Sequence, residues 1–287
     1  MKSFEYFRPR ELAEVFALRE EYGREALLLA GGTDLIVKLR AGLGPKIVID
    51  LKRVSGLPEG IKESDGCLRI GARCVMTDII NDPRVQRHFP ALIDGAKVVG
   101  SVQIRNRATL AGNICNASPA ADTVPALLVY GARLNLIGHR GKRTVPLADF
   151  FTGPGKTVLG SGELLESIEL PIPARPTGAA FARITRRRGV DLATINLCCL
   201  VDSERLTRFA FGAVGPKPML AEDRSGVLTD SSKSGATKED VLAEMISHTS
   251  PISNVRGSRE YRLAMLAVMS RRALALAIEN LRTAQMN

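Results

Sequence analysis

The segment Leu29-Ala30-Gly31-Gly32-Thr33-Asp34-Leu35 decides the fold of this chain. It follows an apolar run, Ala26 to Leu29, that predicts a strand, and it leads into Thr33 to Arg40, which predict a helix. Backbone N–H groups in a glycine turn ahead of a helix suit an anion such as a pyrophosphate. The segment therefore predicts a strand–turn–helix unit with an anion site at its turn.

A second segment, Thr109-Leu110-Ala111-Gly112-Asn113, lies roughly eighty residues further along the chain. The stretch Ser118-Pro119-Ala120-Ala121-Asp122 follows it, and so many short polar groups suit a ribose or ribityl chain. Asp122 can accept hydrogen bonds from sugar hydroxyls, and it can also cap the helix that we predict from Thr123. Together the two segments predict one extended ligand that is bound at two places.

Neither segment has the spacing of the more familiar nucleotide motifs. Lys38 lies six residues past Gly32, which excludes a P-loop, and no Gly-x-Gly-x-x-Gly pattern is present at this turn. Taken alone, the Gly31-Gly32 pair also fits an ordinary tight turn. The second polar segment is the feature that favours a binding site.

Composition describes an ordinary globular protein of two or three domains. The chain has 287 residues, 45% of them hydrophobic, and a formal net charge of +10. Low aromatic content, no tryptophan and scattered basic residues favour a solvated surface over a nucleic-acid surface; attraction of an acidic cofactor or partner is the next interpretation. No apolar run predicts a membrane helix or a secretory signal, so we expect a cytoplasmic protein.

The cysteines and histidines do not indicate a metal centre. The cysteines are odd in number and form no Cys-x-x-Cys pair, which argues against zinc or iron–sulfur ligation and for reduced thiols. The three histidines lie far apart, so we assign them neither a metal nor a nucleophilic role. These residues are Cys67, Cys74, Cys115, Cys198, Cys199, His88, His139 and His248.

Hydrophobic periodicity and the positions of turn-forming residues divide the chain into three predicted parts. Residues 1–55 read as a small α/β unit with parallel strands. Residues 56–173 combine helices with a hairpin and further strands, with an irregular stretch over 101–117. A cluster of prolines then marks a boundary, and residues 174–287 read as three strands followed by two helices, which is an α+β pattern.

The paired motifs resemble the FAD-binding medium subunit of the molybdenum hydroxylases, the family of xanthine dehydrogenase and carbon monoxide dehydrogenase. The resemblance extends over essentially the whole chain. It implies an α+β flavin-binding fold of the vanillyl-alcohol oxidase (PCMH) type: an α/β amino-terminal subdomain, a mostly antiparallel middle sheet, and a carboxy-terminal three-stranded sheet with helices. It also implies that the cofactor is FAD.

The resemblance assigns two sets of residues to the FAD diphosphate and ribityl chain. The first set is Leu29, Ala30, Gly31, Gly32, Thr33, Asp34 and Leu35. The second set is Thr109, Gly112, Asn113, Ser118, Ala121 and Asp122. Ala111 departs from the family pattern, which has a glycine there. If that position requires a positive φ, the methyl group costs about 1 kcal/mol.

A third region resembles the family segment beside the isoalloxazine ring. It runs from Phe181 to Asp191 and places Arg183 where the family often has lysine. A cation near the flavin N1 and C2 carbonyl stabilises the reduced ring and raises its two-electron potential. Arg183 and Asp191 are therefore the predicted flavin-side residues, while Arg186 to Arg188 fit an exposed basic turn equally well.

By the same resemblance, the chain transfers electrons and contains no catalytic residue of its own. The implied partners are a molybdopterin-containing large subunit and a small subunit with two [2Fe–2S] clusters, in a dimer of heterotrimers. The implied external acceptor is NAD, a quinone, oxygen or ferredoxin. The sequence does not distinguish among aldehyde, N-heterocycle, aromatic thioester and carbon monoxide as the substrate of the complex.

Two alternatives stay open at this point. The first is a basic α/β module that uses its glycine turns to bind a nucleotide or nucleic-acid phosphate without redox activity. The second is a flavin oxidase that acts without partners.

Overall fold

A parallel three-stranded sheet begins the fold, which a computed structural model describes for residues 2–286. The strand order is β1-β3-β2, and both neighbouring pairs are parallel. The sequence predicts the parallel strands β2 and β3 but not the short strand β1. The central strand is buried throughout; both of its edges are paired, and the first helix packs against it. The elements are β1 (Glu5–Phe7), α1 (Leu12–Tyr22), β2 (Ala26–Leu29), α2 (Leu35–Arg40) and β3 (Ile47–Asp50).

The middle part combines an antiparallel five-stranded sheet with six short helices. Its strand order is β4-β5-β10-β6-β7, and a separate two-stranded ladder joins β8 to β9. The elements are β4 (Ile61–Ser64), β5 (Cys67–Gly71), α3 (Met76–Asn81), α4 (Pro83–His88), α5 (Pro90–Lys97), α6 (Val102–Arg105), α7 (Leu110–Cys115), α8 (Val124–Val129), β6 (Arg133–Gly138), β7 (Gly141–Pro146), β8 (Phe151–Gly153), β9 (Lys156–Thr157) and β10 (Glu163–Pro171).

Several features of the middle part differ from the sequence prediction, which contains neither α4 nor the short strands β8 and β9. The predicted irregular stretch over residues 101–117 contains the helices α6 and α7. Each begins at a hydroxyl cap, Ser101 or Thr109, whose side chain accepts a hydrogen bond from a first-turn amide. The edge strand β4 was not predicted, because its sequence is largely polar and exposed.

The carboxy-terminal part is an antiparallel sheet of four strands packed against a long helix. The sheet order is β11-β12-β13-β14. We predicted three strands; the fourth, β14, pairs with β13 and has only five residues, the last two of them acidic, so its strand signal in the sequence is weak. The elements are β11 (Thr177–Ile184), β12 (Ile195–Asp202), β13 (Thr207–Gly212), β14 (Met219–Asp223), α9 (Gly235–Ser247) and α10 (Arg259–Met286).

Strand β12 is buried on both faces, which explains its nearly unbroken apolar sequence. Cys198 and Leu200 belong to the core shared with the middle part, whereas Leu197 and Cys199 belong to the core beneath α10. Because side chains alternate along a strand, Asn196 points to the same side as Cys198. This alternation brings one amide side chain of the carboxy-terminal sheet to the middle part.

None of the helices within residues 2–286 has the length and apolar character required to span a bilayer. The division of the chain into domains at residues 55 and 173 stays a prediction.

Candidate functional site

The two glycine-containing segments are in direct contact. A Cβ added to Gly31 would lie 2.8 Å from the carbonyl carbon of Arg107 and 3.0 Å from Ala108 Cα, and closer still to the Arg107 carbonyl oxygen. Contacts this short to backbone atoms leave no room for a side chain. A glycine is therefore required at position 31, where the turn after β2 packs against the backbone just before Thr109. The predicted residues of both segments meet at this crossing.

The turn after β2 leaves backbone donors available. Gly32 has a φ of +79°, a conformation that favours glycine. Among the residues that the structure describes, no acceptor takes a hydrogen bond from the amides of residues 31–34. Residues 31–33 are half-buried and Asp34 is exposed, and a row of free donors at the start of α2 suits an anionic ligand. Leu29 ends β2 and Leu35 begins α2, so both flank this turn.

The second segment forms the start of a helix. Thr109 is the cap of α7, and its Oγ1 accepts from the amide of Gly112 at 3.0 Å. Asn113 accepts at Oδ1 from the Thr123 hydroxyl at 2.8 Å. Ala111 lies inside α7 and is not among the residues with positive φ, so the expected cost of its methyl group does not arise.

A polar bridge links the two segments through Asn116, which our sequence analysis did not include in the predicted set. Its Nδ2 donates to Asp34 Oδ1 at 3.2 Å, and its Oδ1 accepts from Lys38 Nζ at 2.7 Å. One amide side chain thus joins α2 to the end of α7. Its presence in the sequence stretch Asn113 to Asp122 was the available signal.

The stretch from Ser118 to Asp122 forms a tight turn against the carboxy-terminal sheet. Ser118 Oγ accepts from the amide of Ala120 at 3.3 Å, and Ala121 is buried. The carbonyl oxygen of Pro119 accepts from the amide of Ala213 at 2.7 Å. This turn therefore delivers Asp122 to the junction between the middle and carboxy-terminal parts.

Asp122 and Arg183 form a nearly buried ion pair at that junction. Arg183 Nη1 donates to Asp122 Oδ2 at 3.0 Å, and the exposed fractions of the two side chains are 13% and 10%. Asn196 Nδ2 donates to the other carboxylate oxygen at 2.8 Å. The alternative role of Asp122 as a helix cap is not observed, because Thr123 occupies the cap position of α8.

Arg183 is fixed by two backbone carbonyls as well. It donates to Val98 O at 3.0 Å and to Asp191 O at 2.9 Å. The Asp191 carboxylate pairs instead with Arg186 at 3.1 Å, and this hydrogen bond lowers the pKa of Asp191. Arg183 and Asp191 thus lie side by side, while residues 186–190 form an exposed turn; their position beside a flavin stays a prediction.

Burial raises the pKa of Asp122 from its ordinary value of 3.8 to about 6. The hydrogen bond from Asn196 and the charge of Arg183 oppose this effect without cancelling it. A carboxyl with such a pKa, at a junction of two structural units, is typical of a functional site.

The raised pKa of Asp122 has a testable effect on stability. The folded chain holds this proton up to about pH 6, whereas the unfolded chain releases it near pH 3.8. Protonation of Asp122 therefore stabilises the fold below about pH 4, and this contribution is lost as the pH rises to about 6. In urea unfolding of the FAD-free chain, we expect the stability of wild type relative to Asp122→Asn to fall by on the order of 3 kcal/mol across that interval. A difference that does not change between these pH values would contradict the assignment.

Two cavities lie along the first βα unit, and one of them borders the crossing of the segments. One, of about 170 Å³, is lined by Gly31 and Thr109 together with the cations Lys52, Arg73 and Arg107. The other, of about 400 Å³, runs along β2 and has both apolar and cationic walls. Its wall includes Arg19, Arg24, Leu28, Cys115, Leu164 and Leu165.

The cavity residues outside the predicted set gave little signal in the sequence. Lys52 and Arg73 are isolated basic residues, and Leu164 and Leu165 lie in a predicted strand with no indication that the strand borders a cleft. Polar donors in one cavity and apolar walls in another are groups that a dinucleotide with an aromatic ring system requires. The residues present therefore fit such a cofactor.

The chain matches two family models that together extend over most of its length. Residues 2–173 match the FAD binding domain in molybdopterin dehydrogenase, and residues 180–277 match the CO dehydrogenase flavoprotein C-terminal domain. These matches confirm the family resemblance of the two motifs.

Individual relatives agree with the family models. The carbon monoxide dehydrogenase medium chain of Hydrogenophaga pseudoflava is 35% identical over 284 residues, 96% of each protein. The xanthine dehydrogenase FAD-binding subunit of Escherichia coli O157:H7 is 32% identical over 279 residues, 95% of each.

A solved structure extends the agreement to the fold. Carbon monoxide dehydrogenase from H. pseudoflava, in a form that lacks the Mo-pyranopterin moiety of the molybdenum cofactor, has a chain that superposes with a TM-score of 0.88 at 31% identity. The superposition covers 96% of this chain and 98% of that one. The expected PCMH-type flavin-binding fold is thereby confirmed, and the chain belongs to the FAD-binding medium subunits of the molybdenum hydroxylase family.

Proposed function

We propose that this subunit binds FAD across the crossing of its two segments, accepts electrons from [2Fe–2S] clusters of a partner subunit and passes them to an external acceptor. The observation that carries the proposal is the contact of Gly31 with Arg107, because it places free turn amides beside the start of α7. In this arrangement the amides of residues 31–34 bind the diphosphate. Thr33, Asp34, Thr109, Gly112 and Asn113 surround it.

The flavin-side residues lie at the junction of the middle and carboxy-terminal parts. In the proposed site, Ser118, Ala121 and Asp122 face the ribityl chain, and Arg183 presents its guanidinium to the flavin ring, with Asp191 beside it. When bound, FAD would supply the ability to take up two electrons one at a time from a one-electron carrier and to release them singly or as a pair. The protein supplies the binding donors, the nearly buried charge pair and the apolar wall formed by Leu164 and Leu165.

The proposed partners come from the family resemblance and from the arrangement of the potential metal ligands in this chain. Within residues 2–286, no group of three His, Cys, Asp or Glu side chains is placed to hold a metal ion. We therefore assign the clusters to a small [2Fe–2S] subunit and the substrate chemistry to a molybdopterin-containing large subunit, in a dimer of heterotrimers. The acceptor, whether NAD, a quinone, oxygen or ferredoxin, approaches the flavin in this proposal, and we place the subunit in the cytoplasm.

Purified full-length chain tests the cofactor half of this proposal directly. We expect a yellow protein with flavin absorbance near 450 nm, one FAD per chain, and bleaching by dithionite. Added partner subunits with their substrate should bleach the same band without dithionite, whereas the chain alone should not turn over any substrate. Colourless protein that binds nucleic acid in a salt-dependent way would instead support the phosphate-binding module, which the family matches do not favour.

Asn116 provides a local test of the two-segment site. Asn116→Ala removes the side chain that joins Asp34 to Lys38, so the two segments lose their polar bridge. We expect FAD binding, measured by fluorescence titration, to weaken about tenfold, which corresponds to one lost hydrogen-bonding group. The matched control is Asn135→Ala in β6, another partly buried amide, whose hydrogen bonds join Ser167, Glu169 and Thr144 within the middle sheet and not the two segments. Equal effects of the two substitutions would argue against the bridge.

A further inference from the structure

The polar side chain of Asn196 is completely buried, in a strand that is otherwise largely apolar. Its Nδ2 donates to Asp122 Oδ1 at 2.8 Å and lies 3.4 Å from Ala120 O. Its Oδ1 has no hydrogen-bond partner among the described residues. Burying an unsatisfied carbonyl oxygen is unfavourable, so an amide at this position needs an explanation beyond packing.

Gly212 on the neighbouring strand holds Asn196 in this orientation. Asn196 pairs with Gly212 in the β12–β13 ladder. A Cβ at Gly212 would lie 3.0 Å from Asn196 Cγ and nearer still to its Oδ1, whereas the nearest backbone atom, Pro119 O, would be 3.3 Å away. Gly212 is not among the glycines with positive φ. The absence of a side chain at residue 212 therefore gives room to the amide of Asn196.

Asn196 and Arg183 together determine the state of Asp122. Arg183 reaches one carboxylate oxygen from β11, and Asn196 reaches the other from β12. These two are the groups that act on the Asp122 carboxyl besides its burial. The amide is the neutral member of the set, so it favours the ionised carboxylate without changing the net charge of the junction.

We infer that Asn196, kept in place by Gly212, is a positioning residue that holds Asp122 as the ionised counter-ion of Arg183. This inference rests on the proposed function, since it matters to electron transfer only if the flavin lies beside Arg183. Removing the amide donor makes ionisation of Asp122 less favourable. The charge of Arg183 is then less compensated, and it stabilises the reduced flavin more strongly.

The experiment uses the full-length FAD-loaded chain and measures the two-electron midpoint potential together with FAD affinity and thermal stability. For Asn196→Ala, we expect the reduction equilibrium at neutral pH to shift about tenfold towards reduced flavin, about 30 mV for a two-electron couple. Gly212→Ala should shift it in the same direction, because the added methyl group turns the flexible Asn196 side chain away from Asp122. The double variant should equal Asn196→Ala, since no amide is left to displace.

Two controls separate positioning from mere loss of packing. Thr207→Ala removes a buried hydroxyl without a partner from the same sheet, far from Asp122, and should leave the potential unchanged even if stability falls. In an Asp122→Asn background, Asn196→Ala should no longer shift the potential.

The outcomes distinguish this inference from the proposed function. If wild-type chain binds no FAD, the proposed function fails before Asn196 is tested. If FAD binds and Asn196→Ala lowers stability while the potential stays within twofold of wild type, or moves towards oxidised flavin, the positioning role is overturned. If the two single substitutions shift the potential additively in the double variant, the role assigned to Gly212 is overturned.

Discussion

Replacing Gly31 by alanine weakens FAD binding at least about 100-fold, the largest effect that we expect from one methyl group in this chain. The added Cβ collides with the backbone of Arg107 and Ala108, and backbone atoms cannot rotate away as a side chain can. The two segments must separate, and the diphosphate then loses donors from one side. A 100-fold change corresponds to about 2.8 kcal/mol, which is within the range for overpacking together with lost ligand contacts.

The matched control for this substitution is Gly235→Ala. Gly235 is the first residue of α9, its φ is not positive, and a Cβ there meets nothing within 4 Å. FAD titration and circular dichroism of both variants separate loss of binding from loss of fold. Gly31→Ala protein that is folded and binds FAD as wild type does would show that the crossing is not part of the site.

Breaking the Asp122–Arg183 pair from either side should destabilise the chain by about 3 kcal/mol. Asp122→Ala leaves the nearly buried guanidinium of Arg183 with carbonyl oxygens alone, and Arg183→Met leaves a buried carboxylate with only the Asn196 amide. Removing one partner of a buried pair is costly because the other charge stays desolvated. The double variant should lose less than the sum of the single losses, by at least about 1 kcal/mol.

Urea unfolding of the four FAD-free proteins measures this cycle. Arg271→Met is the comparison, because Arg271 pairs with Glu239 at 2.9 Å while both side chains are about half exposed. Exposed pairs of that kind contribute at most about 1 kcal/mol. Strict additivity in the Asp122 and Arg183 cycle would mean that the pair does not couple the middle and carboxy-terminal parts.

Much of the architecture was predictable because it follows from local periodicity. The apolar run before Gly31 indicated the first βα unit, and the run of strands followed by helices after residue 174 indicated the α+β pattern. The elements that were missed carry weak local signals. The edge strand β4 is polar, and β14 is short. Helices α6 and α7 have only four and six residues, and their best signals are the caps Ser101 and Thr109.

Sequence motifs selected residues for the candidate site, but they did not indicate which residues those would contact. Motif resemblance selected Gly31, Asp122 and Arg183, but each of them contacts a residue far away in sequence. Gly31 meets Arg107, 76 residues away, and Asp122 meets Asn196, 74 residues away. Arg183 meets Asp122, 61 residues away. Such contacts depend on how the sheets pack, which local propensity does not encode. Asn196 still left one trace: it is an amide within an apolar strand, and buried polar residues are rarely without a partner.

The central claim is that one diphosphate is bound by both segments at once. A crystal structure of the full-length chain with FAD tests it most directly. We predict diphosphate oxygens at about 3 Å from backbone amides of residues 31–34 and, in the same molecule, from donors of the segment 109–113. FAD bound with its diphosphate on one segment only, or away from the crossing of Gly31 and Arg107, would contradict the claim.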